Sequence, residues 1–120
     1  MRYACLIYEN ETEMNALFQR EGDSIMGEYF AFTEDIRKSG HYHAGEALQP
    51  VSTATTLRIR NGKLQATDGP FAETKEQLGG LYLIDARDLN EAIQIASRIP
   101  ACRYGSLEIR PVVDFSQPQV

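Results

Sequence analysis

Apolar residues occupy both faces of the opening stretch Arg2–Tyr8, with Tyr3, Cys5 and Ile7 on one side and Ala4, Leu6 and Tyr8 on the other. A strand of that kind needs cover on both faces. The next polar stretch, Glu9–Gly22, holds Met14, Leu17 and Phe18 at helical spacing, which predicts a short helical piece after Thr12 and a break at Gly22. From Ser24 to Ser39, Ile25, Tyr29, Phe32 and Ile36 repeat at steps of three and four, the stripe of an amphipathic helix, widened by Met26, Phe30 and Thr33. Asp23 or Ser24 is placed to cap it, and Gly40 stands where a left-handed terminal residue is wanted. Strands are predicted at His41–Leu48, Thr53–Arg60, Lys63–Thr67, Leu81–Asp85 and Ser106–Val113. Asn61-Gly62 marks a tight hairpin between the second and third of these, since both positions of such a turn need positive φ. A second helix runs from Asp88 to about Arg98, opened by the capping spacing Asp88-Leu89-Asn90-Glu91, striped by Leu89, Ala92, Ile93, Ala96 and Ile99, and stopped by Pro100.

The resulting order is strand–helix–strand–hairpin–strand–helix–strand. It predicts an α+β fold, a ferredoxin-like antiparallel sheet with helices on one face. Residues 1–113 make one domain and 114–120 a C-terminal tail. Two helices cannot cover the far face of the sheet, and strands at Arg2–Tyr8 and Leu81–Asp85 are apolar there as well. A homodimer with the two sheets facing each other, a dimeric α/β barrel, is the expected solution.

The length of 120 residues suits one domain, and the 42% hydrophobic and 24% charged content is that of an ordinary globular chain. A net charge of −5 supplies no basic surface for phosphates, which argues against a nucleic-acid or anionic-membrane partner. The apolar run before Glu9 is too short for a signal or a membrane span, so a cytoplasmic location is expected. Cys5 and Cys102 lie near opposite ends and have no metal-type spacing.

Candidate chemistry gathers in the connection Thr67-Asp68-Gly69-Pro70-Phe71-Ala72-Glu73-Thr74-Lys75-Glu76-Gln77-Leu78-Gly79-Gly80. It is longer than a hairpin needs, and loops on rigid scaffolds are where binding and catalytic groups sit. Asp68 has two readings: a carboxylate that locks its own turn, or one that projects into a cleft as a base. Glu73, Lys75 and Glu76 are either a solvated charge run or, if partly buried, a group of perturbed ionisation. Phe71 is a core plug or a stacking surface. His41 and His43, two apart on a strand, are expected on one side. No third metal ligand can be nominated beyond Glu46, Asp68 or Glu73, so no metal site is expected, and no cofactor motif appears. His43 is the preferred imidazole for proton transfer. Arg58 and Arg60, with Arg110, would bind an acidic molecule if their strand faces lined a barrel, and are routine surface charges otherwise.

The chain resembles the DGPF-type proteins of the YCII-related family, on Asp68-Gly69-Pro70-Phe71-Ala72-Glu73-Thr74-Lys75-Glu76 together with Gly45–Pro50, Thr53–Thr56, Tyr82–Asp85, Leu89–Ala92 and Glu108–Pro111. The resemblance implies a dimeric α/β barrel of undetermined activity and a link to extracytoplasmic-function sigma factors. It also implies acid–base chemistry, since a more distant YCII-related protein acts as a dehydrochlorinase and YCII-type members use a proposed His–Asp couple. In this chain the first predicted helix holds no histidine, and both histidines follow its end.

The expectation drawn from the residues is a small-molecule-binding dimer with a cleft near Asp68–Glu76 and His43. Asp68, His43, Lys75 and Glu73 would act on the ligand by proton transfer, with elimination or isomerisation as the reaction class, and Arg58, Arg60, Phe71 and Glu76 would bind it. Whether chemistry follows binding is left open. The alternative is a non-catalytic sensor or interaction module acting on a sigma-factor regulatory partner.

Overall fold

The computed structural model describes residues 1–117. The chain runs β1 (Arg2–Glu9), α1 (Glu11–Lys38), β2 (Tyr42–Ala47), β3 (Thr55–Arg60), β4 (Lys63–Asp68), β5 (Gln77–Asp85), α2 (Leu89–Ala96) and β6 (Ser106–Pro111). Strands β2, β5, β1 and β6 lie side by side in that order, each neighbouring pair antiparallel. This is the expected α+β arrangement, with a strand order consistent with the ferredoxin-like pattern. Helix residues Phe32 and Ile36 of α1 and Ala92, Ile95 and Ala96 of α2 are buried against Tyr3, Cys5, Ile7, Tyr82 and Ile84 on one sheet face. Burial pushes the Cys5 thiol up to about 11, so it is an inert core group. On the opposite face, Ala4, Leu6 and Tyr8 of β1 and Leu81 and Leu83 of β5 remain only half-buried.

Several elements differ from expectation, the main ones for a local reason. The short piece expected after Thr12 and the helix expected from Ser24 form one element that begins at Glu11, because Asn10 caps it by accepting from the Glu13 N–H at 3.0 Å and Glu11 and Glu13 complement its dipole. What Gly22 signals is a kink, with Glu21 at φ −135° and ψ 21°, and the helix resumes beyond it. In α2 the buried stripe is Ala92, Ile95 and Ala96, continued by Ile99, while Leu89 and Ile93 are half-exposed on its outer side. β5 starts at Gln77 and so absorbs Leu78-Gly79-Gly80, which the glycines had marked as loop. Gly79 is the extra residue where the β1–β5 register shifts, and at Gly80 a Cβ would come within 2.9 Å of the Glu46 carbonyl oxygen.

The β3–β4 hairpin is separate from the sheet. Its turn residues Asn61 and Gly62 have φ of 52° and 73°, as the dipeptide predicts. Pairing Leu57 with Ala66 and Ile59 with Leu64 puts all four on one face, and pairing Arg58 with Gln65 and Arg60 with Lys63 puts those on the other. Neither face is covered among the described residues. The hairpin projects as an arm, and the radius of gyration of 16.6 Å reflects it, against about 13.5 Å for a compact chain of this length. Its root is fastened: the Gly69 N–H donates to the Ala54 carbonyl at 2.7 Å, and the Thr56 hydroxyl donates to the Gly69 carbonyl at 2.7 Å.

Candidate functional site

A cavity of about 610 Å³ opens between α1 and the β2–β5 edge of the sheet. Its floor exists because Gly45 has no side chain. A Cβ there would stand 3.0 Å from the Tyr82 ring, which three contacts hold in place. Phe32 meets it edge-on at 5.2 Å between centroids, Tyr42 does so at 6.4 Å, and its hydroxyl shares a 2.8 Å hydrogen bond with Thr33. Arg37 lies over the Tyr42 ring, 4.4 Å from its centroid, so the aromatic wall carries a cation at its rim. The outer wall is the apolar stripe Phe18, Met26 and Phe30 of α1, which the helix turns away from the core.

Glu9, the last residue of β1, faces this cavity with Tyr29. Its carboxyl sits above the ordinary range, first because burial disfavours the charged form and then because the Glu76 carboxylate is nearby. The Tyr29 hydroxyl is also raised, chiefly by burial and then by the charge of Glu9. Because a carboxyl displaced toward neutrality both gives and takes protons, Glu9 is the group in the cavity best suited to acid–base work.

Of the eight residues expected to act on a ligand or bind it, Glu76 alone approaches this arrangement; Glu46, weighed only as a third metal ligand, is among the residues lining the cavity. Glu76, half-buried, accepts from the Ser106 hydroxyl at 2.7 Å and couples to Glu9. The end of the connection that holds it is anchored, since the Asn10 side-chain N–H donates to the Lys75 carbonyl at 3.1 Å and the Gln77 side chain accepts from the Glu11 N–H at 3.0 Å. The Lys75 side chain itself is exposed, as are Glu73, Phe71 and Asp68. Asp68 ends β4, and among the described residues its carboxylate has no hydrogen-bond partner, so the turn-lock reading is not met there. The left-handed Gly69, at φ 99°, and the Thr56 hydroxyl hold that turn instead. Arg58 and Arg60 lie on the exposed arm.

The two histidines do not act as a pair. His43 is the extra residue where the β2–β5 register shifts, so the alternation behind the shared-side expectation is interrupted, and His43 is exposed. His41 precedes the strand and joins a chain the sequence did not suggest: its Nδ1 is 2.7 Å from the Ser39 hydroxyl and its Nε2 is 3.3 Å from the Glu91 carboxylate. A hydroxyl, imidazole and carboxylate in series resembles a nucleophile relay. Ser39, however, terminates α1, where helix carbonyls disfavour a developing oxyanion, and no residue of the series lines the cavity. The series fastens α1 to α2. Among the described residues no three His, Cys, Asp or Glu side chains gather as metal ligands, and no helix is long and apolar enough to cross a membrane.

A YCII-related domain matches residues 1–116 of this fold. The chain belongs to the YCII-related family. It is also 38% identical over 114 residues to an uncharacterised protein of Rhizobium meliloti (strain 1021), covering 93% of this chain and 92% of that protein. The YCII-related domain therefore takes in every element described, from β1 through β6, including the arm and the cavity.

Proposed function

We propose that this YCII-related protein binds a small aromatic molecule in the cavity between α1 and the β2–β5 edge, and that Glu9 exchanges a proton with it. The observation that carries the reading is the placement of Glu9: a carboxyl held above its ordinary range at the mouth of a cavity walled by Tyr29, Tyr42 and Tyr82. A volume of about 610 Å³ falls within the span of small-molecule sites. The tyrosine faces suit an aromatic ring and Arg37 suits a polar substituent on it. Proton transfer from a carboxyl supports elimination or isomerisation, with burial first and the Glu76 carboxylate second raising the ionisation of Glu9. The half-buried apolar row Ala4, Leu6, Tyr8, Leu81 and Leu83 supports a homodimer closed sheet-to-sheet as a barrel.

A thermal-shift screen of phenols and aromatic acids on wild type, Glu9→Gln and Asp68→Ala tests the site. Compounds that stabilise wild type and Asp68→Ala alike, and whose pH dependence of binding disappears in Glu9→Gln, support the reading. Hits that respond to Asp68→Ala and ignore Glu9→Gln would move the chemistry to the connection.

A second reading draws on Phe71, 78% exposed in the segment after β4 and not among the residues lining the cavity. It is a non-catalytic module presenting that segment to a regulatory partner such as a sigma factor. Binding of such a factor that Phe71→Ala abolishes, with no small-molecule hit, would favour it.

A further inference from the structure

A recess of about 180 Å³ adjoins the cavity, and Glu9, Phe18, Leu48 and Gly79 line both. Gly79 brings no side chain to that shared border. The two linings differ in character. The large cavity is walled mainly by aromatic and apolar side chains, whereas half of the residues around the recess are polar. They are the amides Asn15, Gln49 and Gln77 and the carboxylates Glu9 and Glu11. Glu11 is fixed in place, since its carboxylate accepts from the Val51 N–H at 2.8 Å, and a carboxylate so engaged keeps further acceptor sites.

The charge of the recess is one-sided. No Lys, Arg or His lines it, and neither Glu9 nor Glu11 has an ion-pair partner among the described residues. The Glu76 carboxylate acts on Glu9 as well, which deepens the negative potential there. Glu34 and Glu46 add negative charge to the large cavity. Its cation, Arg37, stands at the other end. Arg37 belongs to the last turn of α1, whose first turn holds Glu11, and it lies over Tyr42 at the opening of β2, whereas Leu48 follows the end of that strand. About 20 Å of strand separates Tyr42 from Leu48, and charges are largely screened beyond about 10 Å at ordinary salt.

Carboxylates at a surface select nothing by themselves. Two that flank a recess bordering an aromatic cavity do, because tyrosine faces attract a cation as well. We propose that the bound molecule is an aromatic amine, its ring against Tyr29 and Tyr82 and its ammonium group carried past Glu9 to Glu11. This rests on the aromatic cavity proposed above and names its ligand class. The same skeleton ending in a carboxylate would set like charges side by side, and one ending in an amide would forgo the ion pair.

The test is isothermal titration calorimetry of the full-length protein at neutral pH with phenol, phenylpropylamine, phenylpropanamide and phenylpropanoate. The last three share one skeleton and differ in the head group. The amine is expected to bind several-fold more tightly than the amide, and the amide more tightly than the carboxylate. Glu11→Gln keeps an acceptor for the Val51 N–H, and Asn15→Lys alters an exposed helix position, so both spare the fold. Each should erase the advantage of the amine while phenol binds as it does to wild type. Phenol binding with no ranking among the three head groups would overturn the amine and leave the aromatic cavity standing. An amine preference untouched by both variants would overturn the recess as its seat, and a preference for the carboxylate would overturn the proposal outright. Failure of all four compounds to bind wild type would overturn the aromatic cavity and the amine together.

Discussion

Replacing Gly45 by alanine probes the floor of the cavity directly. Gly45 has no left-handed backbone, so a side chain is tolerated conformationally and only space opposes it. The new methyl would meet Cδ1 and Cε1 of Tyr82 at 3.0 and 3.1 Å, and Tyr82 cannot swing away without losing Phe32, Tyr42 and Thr33. Overpacking of this sort costs about 1–3 kcal/mol. Removing a glycine from the unfolded chain returns about 0.4–1 kcal/mol. The difference, a loss centred on about 1.3 kcal/mol within a range of about 0–2.6, corresponds at its centre to a fall in Tm of about 4–8 °C for a domain of this size. Scanning calorimetry at neutral pH measures it. The contact is with the ring and not the hydroxyl, so the cost should persist in a Tyr82→Phe background and shrink in Tyr82→Leu. A Tm equal to or above that of wild type, or a cost unchanged in Tyr82→Leu, would refute the packing account.

Two further substitutions address the elements around the site. Asn10→Ala removes the cap of α1 and should cost about 1 kcal/mol; because Asn10 also holds the Lys75 carbonyl, amide exchange in residues 70–76 should quicken more than in α2. Glu91→Gln should destabilise the protein at pH 7 and converge with wild type in acid. The Glu91 carboxyl is held below its ordinary value of 4.5 by the Arg87 backbone N–H first, and then by the charges of Arg87 and His41. Its contribution is therefore present above that value and lost as pH falls through the folded-state value. Tm measured from pH 2.5 to 7 for both proteins checks the sign; a gap that widens in acid would contradict it.

Much of the fold was legible because its signals are local. Asn61-Gly62 and Gly40 take the positive φ their positions predict, and Asp88 caps α2 by accepting from the Glu91 N–H at 2.9 Å. Even there the box is displaced by one residue, since the Glu91 side chain reaches back to the Arg87 N–H and not to that of Asp88. The helical piece expected after Thr12 was real, but its cap by Asn10 and its continuity through the Glu21 kink were not visible in a pattern punctuated by Gly22. The site was harder to read because it forms at a distance. Glu9 is an unremarkable strand end in sequence and becomes a candidate acid only when Glu76 and Tyr29 are folded beside it. Gly45 lay inside an expected strand and Gly80 in the expected connection, yet the value of both lies in what stands opposite them across the strand pair. The connection drew attention through its density of charge, but most of its side chains face water. Met26 and Phe30, taken as a widened core stripe, line the cavity instead.

The arm also has a hydrodynamic consequence. A chain with a radius of gyration of 16.6 Å and extents of 49 × 48 × 19 Å diffuses as a body heavier than its 13.5 kDa. On a calibrated sizing column a single copy would elute early, drifting toward the position of a dimer of compact subunits. If pairing into the proposed homodimer draws the arms in, the dimer should elute closer to its true mass than the lone chain would. The ratio of apparent to true mass should then fall on association, so elution and scattering read together report the state of the arm as well as the number of subunits.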